Sequence, residues 1–164
     1  MTSQEIMQAL RSRYLPHQVG AIGPSERWAF FEELRIGTGY GKHSEQRIDA
    51  WVMSLWPSNG QARIAYEIKV SRADFLAELA KSLKRRAALL VSSQFYFVAP
   101  RDLIKPAEIP VECGLEEVYW ANGDRCLITT VPAPVFDTPP PTWTFFAAIA
   151  RRVFRAEAEQ AVRP

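Results

Sequence analysis

Apolar residues along this chain follow two rhythms, and each change of rhythm marks a change of element. Ile6, Met7, Leu10 and Tyr14 recur at helical spacing behind Thr2-Ser3-Gln4-Glu5, which fits a capping box. This predicts a short amphipathic helix over about 3–14, stopped before Pro16. From Arg27 to Ile36 the period drops to two: Trp28, Phe30, Leu34 and Ile36 share one parity with Glu32 among them. That pattern and its aromatic content favour a strand, with a helix as the alternative. Residues 46–56 and 61–70 flank the turn sequence Pro57-Ser58-Asn59-Gly60 and read as a β-hairpin. Ser71-Arg72-Ala73-Asp74 is a second capping box and opens a helix. Its apolar stripe is Phe75, Leu76, Leu79, Leu83 and Leu90, with Lys81, Lys84, Arg85 and Arg86 largely on the other side. Residues 94–100, QFYFVAP, suit a short strand in the buried middle of a sheet. Residues 115–131 form a second hairpin around Asn122-Gly123-Asp124. A last helix runs from Trp143 to Val162, with Phe146, Ile149, Val153 and Phe154 inward and Arg151, Arg152 and Arg155 outward.

The order is helix, three strands, helix, strand, hairpin, helix: an α/β chain with a mixed sheet flanked by helices. A length of 164 residues suits one domain, with a core over about 3–131, a Pro-rich spacer at 132–142 and the terminal helix from about 143 to 162. A chain of this size buries roughly 70% of its unfolded surface and needs no disulfides. Cys113 and Cys126 have no second pair, and His17 and His43 stand alone, so no zinc spacing or disulfide framework is present and both cysteines read as plain thiols. The glycines at 37, 39 and 41 mark a flexible loop; no GK[ST] follows, so it is not a phosphate-binding loop. The net charge of +2 is too small to argue for nucleic acid by itself. No signal-peptide pattern and no membrane-length apolar run occur, and the expected setting is cytoplasmic.

The chemistry concentrates in residues 65–75, AYEIKVSRADF. In a strand, Glu67 and Lys69 project from the same face. Burying that pair is costly, because each ion loses several kcal/mol of hydration that pairing does not reliably restore. Asp49 lies nine residues before Ser58 (58 − 49), and Glu67 nine after it (67 − 58). A hairpin centred near Ser58 therefore sets Asp49 opposite Glu67, whereas a one-residue slip would separate them onto opposite faces. Opposed carboxylates repel by roughly 0.2–1 kcal/mol even at a surface. A divalent cation removes the conflict. Mg²⁺ takes oxygen ligands, commonly one or two carboxylates with waters and substrate phosphates. A neighbouring ammonium can hold a water or neutralise the charge that develops at phosphorus.

The acid at Asp49 followed across a hairpin by Glu67-Ile68-Lys69 and then a helix resembles the PD-(D/E)XK nuclease superfamily. EIKVSRADF, the basic helix, FYFVAP and GLEEV are similar to small bacterial and phage DNA-repair-type nuclease-like proteins, over roughly residues 28–131. Arg47-Ile48 stands where the superfamily carries a proline before its Asp. The resemblance implies a restriction-endonuclease-like core and Mg²⁺- or Mn²⁺-dependent hydrolysis of DNA phosphodiesters, in repair, recombination or phage DNA processing. Asp49 and Glu67 would ligate the metal, the Ile68 carbonyl would add an oxygen, and Lys69 would position or polarise the attacking water. Glu33 is expected as a further upstream acid, with Glu32 and Glu5 as alternatives; Glu5 also serves its helix cap.

Residues 72–86 carry Arg72, Lys81, Lys84, Arg85 and Arg86 against Asp74 and Glu78, a local excess of three positive charges. They suit phosphate contact, with a solvated helix face as the competing reading. For Arg151, Arg152 and Arg155 the solvated face is favoured, and the Trp and Phe residues read as core. Ser71 and Asp74 read as a cap, with phosphate at that helix N-terminus as the alternative. The expected partner is DNA, with RNA left open, and specificity would come from a homodimer or a larger nucleic-acid-processing partner. Two other readings compete: a non-catalytic nucleic-acid-binding module of the same fold, and a structural domain with a surface ion cluster.

Overall fold

Six strands form one sheet, in the sequential order β1 (Trp28–Arg35), β2 (Arg47–Ser54), β3 (Arg63–Ile68), β4 (Gln94–Pro100), β5 (Gly114–Ala121) and β6 (Asp124–Val131). The computed structural model describes residues 1–15, 27–37, 46–80 and 82–161, with the side chains among them except 59, 82–84 and 156–161. The expectations for His17, His43, Gly39, Gly41, Lys81 and the side chains of Leu83 and Lys84 lie outside the described residues. The first three strands are antiparallel, β4 and β5 run parallel to β3, and β6 returns antiparallel. The chain is thus α/β with a mixed sheet, as its element order predicts.

Helix α1 (Ser3–Tyr14) covers one face, where Ile6, Leu10 and Tyr14 pack with Val52, Tyr66 and Val98. Its capping box is complete: the Glu5 amide donates to Thr2 Oγ1 at 3.2 Å and the Thr2 amide to Glu5 Oε2 at 2.7 Å. Helices α2 (Arg72–Leu79), α3 (Ser82–Leu89) and α4 (Trp143–Ala161) cover the other face, where Phe75, Ala88 and Phe145 meet Trp51, Ala65 and Phe97. β4 lies inside the sheet between two parallel neighbours, and five consecutive residues, Phe95–Ala99, are buried.

Both hairpins follow their turn sequences. In β2–β3 the rungs Ala50↔Tyr66 and Trp51↔Ala65 are symmetric about residue 58. In β5–β6 Ala121 pairs with Asp124 across Asn122 (φ 52°) and Gly123 (φ 84°), the two left-handed residues that a type I′ turn requires. The Pro-rich stretch 132–142 forms no element, but the Phe136 amide donates to the Ser93 carbonyl at 2.8 Å and Arg63 reaches Thr138 at 2.6 Å.

Three expectations need correction. The helix predicted from Ser71 is two helices, with α2 ending at Leu79 and Ala80 as its C-cap. Phe75 and Glu78 face inward, while Leu76 and Leu90 are exposed, because an eight-residue helix turns about 100° per residue and meets the sheet with only one narrow face. In α4 the buried pair is Phe145 with the half-buried Ile149; Phe146, Val153 and Phe154 point to solvent. Two apolar stripes share that helix. The sheet receives the one carrying Phe145, whose ring meets Trp51 edge-on at 5.5 Å. The alternation in β1 also inverts partway. Trp28 and Phe30 pack on the α1 face, but Leu34 and Ile36 pack on the opposite one.

Candidate functional site

The inversion falls where the predicted acids stand. Glu33 has φ 49°, a left-handed conformation costing on the order of 1–3 kcal/mol for a residue with a side chain. β2 inverts beside it: Ile48 packs on the α2 face and Ala50, two residues on, packs on the α1 face. Glu33 and Asp49 are flanked by the rungs Glu32↔Ala50 and Leu34↔Ile48, so they face each other across the two strands. The β2–β3 rungs end at Ala50↔Tyr66, one residue short of Asp49 and Glu67. The centring on Ser58 predicts Asp49 opposite Glu67; Asp49 lines a cleft with Ser3 and Gln4 of α1, whereas Glu67 shares Lys69 with Glu78 of α2. Asp49 is tied to the end of β3, because its Oδ2 accepts the Ile68 N–H at 2.8 Å.

Glu67 and Lys69 point to the α2 side of β3 and are 4% and 3% exposed. Lys69 Nζ lies 2.9 Å from Glu67 Oε1, 3.5 Å from Glu78 Oε2 and 3.6 Å from Asp74 Oδ2. Burial alone would push the Lys69 pKa down, but the carboxylates of Glu67, Glu78 and Asp74 outweigh it and hold it above the ordinary lysine value. Lys69 is therefore an ammonium at neutral pH and acts as a hydrogen-bond donor and a charge, not as a base.

Two of these carboxylates differ from expectation. Ser71 caps α2 through the Asp74 amide at 3.2 Å, but the Asp74 carboxylate turns to Lys69. Glu78, by sequence only a counter-charge in a basic helix, is 3% exposed and faces the pair. Its signal was its place three residues after Phe75, on the helix face that meets the sheet.

The other candidate acids have different company. Glu32 pairs with Arg11 of α1. Glu5 holds its cap and lies 3.3 Å from Arg125. Glu33 is exposed, 3.5 Å from Arg47, and lines two clefts. One, of about 300 Å³, is bounded by Ser3, Gln4, Glu32, Glu33, Asp49 and Ile68. The second, of about 390 Å³, lies between the β1–β2 ends and α4.

The expected phosphate-contacting residues divide. Arg72 sets two guanidinium nitrogens on the Glu108 carboxylate. Arg85 is 6% exposed and donates to the carbonyls of Glu78 and Leu79 at 2.9 and 3.2 Å, closing the end of α2. Both guanidinium groups are thus engaged by the fold. Lys81 and the Lys84 side chain lie outside the described residues.

Among the described residues no three His, Cys, Asp or Glu side chains cluster closely enough to hold a metal ion. The donors expected for a hard cation are the Asp49 and Glu67 carboxylates and the Ile68 carbonyl; Asp49 Oδ2 bonds the Ile68 N–H and Glu67 Oε1 bonds Lys69. That is an all-oxygen set of the size that leaves Mg²⁺ dependent on waters and substrate phosphate.

No family model matches the chain, and no curated protein matches it. A solved structure from Silicibacter pomeroyi, a protein of unknown function, is similar in fold, with a TM-score of 0.61 at 19% identity over 100% of this chain and 96% of that one.

Proposed function

We propose that this chain is a metal-dependent nuclease with a restriction-endonuclease-like core, hydrolysing phosphodiester bonds in DNA during repair, recombination or phage DNA processing. The observation that carries the reading is the buried Lys69–Glu67 pair, 2.9 Å apart on one face of β3, beside an Asp49 bonded to the intervening backbone. Burying those ions is a poor route to stability, since apolar residues of similar volume often serve as well or better. Asp49, Glu67 and the Ile68 carbonyl would hold Mg²⁺ or Mn²⁺. Bound there, the metal would supply Lewis acidity toward a phosphate oxygen and an acidified water. Lys69, fixed as an ammonium, donates to the attacking water or to a non-bridging oxygen, where negative charge grows as the P–O bond forms. Glu33, exposed and lining the Asp49 cleft, would accept a proton from water.

One observation favours a second reading. Three carboxylates surround Lys69, and that much pairing also suits a fold that keeps its ions for structure and binds nucleic acid without cutting it. The two separate in a cleavage assay on linear and supercoiled DNA with Mn²⁺, Mg²⁺ or EDTA, comparing the native chain with Asp49→Asn. Metal-dependent cleavage lost in the variant supports the nuclease; binding without cleavage under every condition supports the module.

A further inference from the structure

The second cleft carries a charge distribution that folding does not explain. Arg35 and Arg47 are direct cross-strand partners at the mouth of the β1–β2 pair. Like charges set opposite one another destabilise a sheet. Across the cleft α4 presents Arg151, Arg152 and Arg155, and Arg151 and Arg155 are four residues apart on one helix face, a second repulsive arrangement. Five guanidinium groups thus line a cleft of about 390 Å³ with one carboxylate, Glu33, 3.5 Å from Arg47. Among the described residues Arg35, Arg151, Arg152 and Arg155 make no ion pair, while Arg11, Arg13, Arg72 and Arg125 each have a carboxylate partner.

We infer that this arginine cleft is the docking groove for a nucleic-acid strand, holding its phosphodiester backbone on the approach to Asp49. An extended polyanion relieves every one of these repulsions, and arginine's planar fork suits phosphate oxygens. The position fits as well: Glu33 lines both this cleft and the one holding Asp49, so a backbone in the groove runs directly to Asp49. The inference rests on the proposed function for its ligand, and assigns binding to α4 and the β1–β2 ends.

The test is fluorescence anisotropy of a labelled DNA oligonucleotide with EDTA present, so that binding is read without cleavage. The protein would be the native chain, the triple variant Arg151→Gln/Arg152→Gln/Arg155→Gln, and Arg27→Gln as an exposed control outside the cleft. Thermal melting would check the fold of each. The triple variant should bind at least about tenfold more weakly, and its slope of log affinity against log salt should shrink by about 2 for single-stranded DNA, from roughly 0.7 per lost phosphate contact. The control should stay near native. An unchanged slope in a folded triple variant would overturn the inference, as would displacement of the oligonucleotide by inorganic phosphate at matched phosphate concentration, which would mark a small-anion site. A groove that binds in a chain that never cleaves would sink the nuclease reading and leave the groove standing.

Discussion

Two positively charged regions of this molecule, one contiguous in sequence and one gathered from distant segments, differ in what the fold has done with them. Residues 72–86 carry the denser run of positive charge, yet Arg72 is clamped by Glu108 and Arg85 is buried against helix carbonyls. Arg35, Arg47, Arg151, Arg152 and Arg155 are spread over more than a hundred residues, and the fold gathers them around one cleft with a single carboxylate. A guanidinium already committed to a protein acceptor has little left to offer a phosphate. Available charge, and not charge per segment, decides where a polyanion binds.

The largest effect should come from the buried cluster between these regions. Lys69→Ala removes the cation from Glu67 and Glu78, which are 5% and 4% exposed at the side chain, and should cost about 3–5 kcal/mol in urea unfolding. A loss near zero would mean that water reaches these carboxylates. Next in size, the triple substitution in the cleft should weaken DNA binding by at least about tenfold and leave the melting temperature unchanged or slightly raised, because it removes like-charge pairs worth about 0.2–0.5 kcal/mol each. Smaller effects are expected in the other region. Arg85→Ala strips donors from the α2 carbonyls and should destabilise by about 1–3 kcal/mol with DNA affinity unaltered. Arg72→Ala loses a solvent-screened pair and should change stability least of all. A tenfold loss of affinity in either variant would reverse the comparison.

The pH dependence sharpens the account of Lys69. Its folded pKa is raised, so its contribution to stability is fully present below the ordinary lysine value and is lost as pH rises through the folded pKa. Alkaline unfolding should therefore include a wave above the ordinary lysine range that Lys69→Met lacks.

Much of the fold was legible because turn and cap residues act locally. Gly123 with Asn122 dictates its hairpin, Thr2 with Glu5 its helix start, and the 57–60 turn sets the register that pairs Ala50 with Tyr66. The inversion at Glu33 was not legible. A strict period of two assigns Leu34 and Ile36 to the face of Trp28 and Phe30, and nothing about a glutamate announces φ 49°. The buried role of Glu78 was hidden by the basic residues that follow it. The packing face of α4 was ambiguous because Phe145 and Phe146 begin rival stripes, and only contact with Trp51 chooses between them. The arginine cleft was beyond reach for a different reason: its members are distant in sequence, and their adjacency is created by the β1–β2 register and the return of α4.

The central proposal is that Asp49, Glu67 and Lys69, with Glu33, cut phosphodiesters. Its most direct test is cleavage of defined single- and double-stranded DNA by the native chain and by Asp49→Asn, with Mn²⁺ or with EDTA, each protein first shown to be folded by its melting curve. The account predicts cleavage that needs the metal and falls at least about a hundredfold in the variant, the scale of losing one group that stabilises the transition state. Equal, metal-independent cleavage by both proteins, or none by a folded native chain that binds the same DNA, would contradict it.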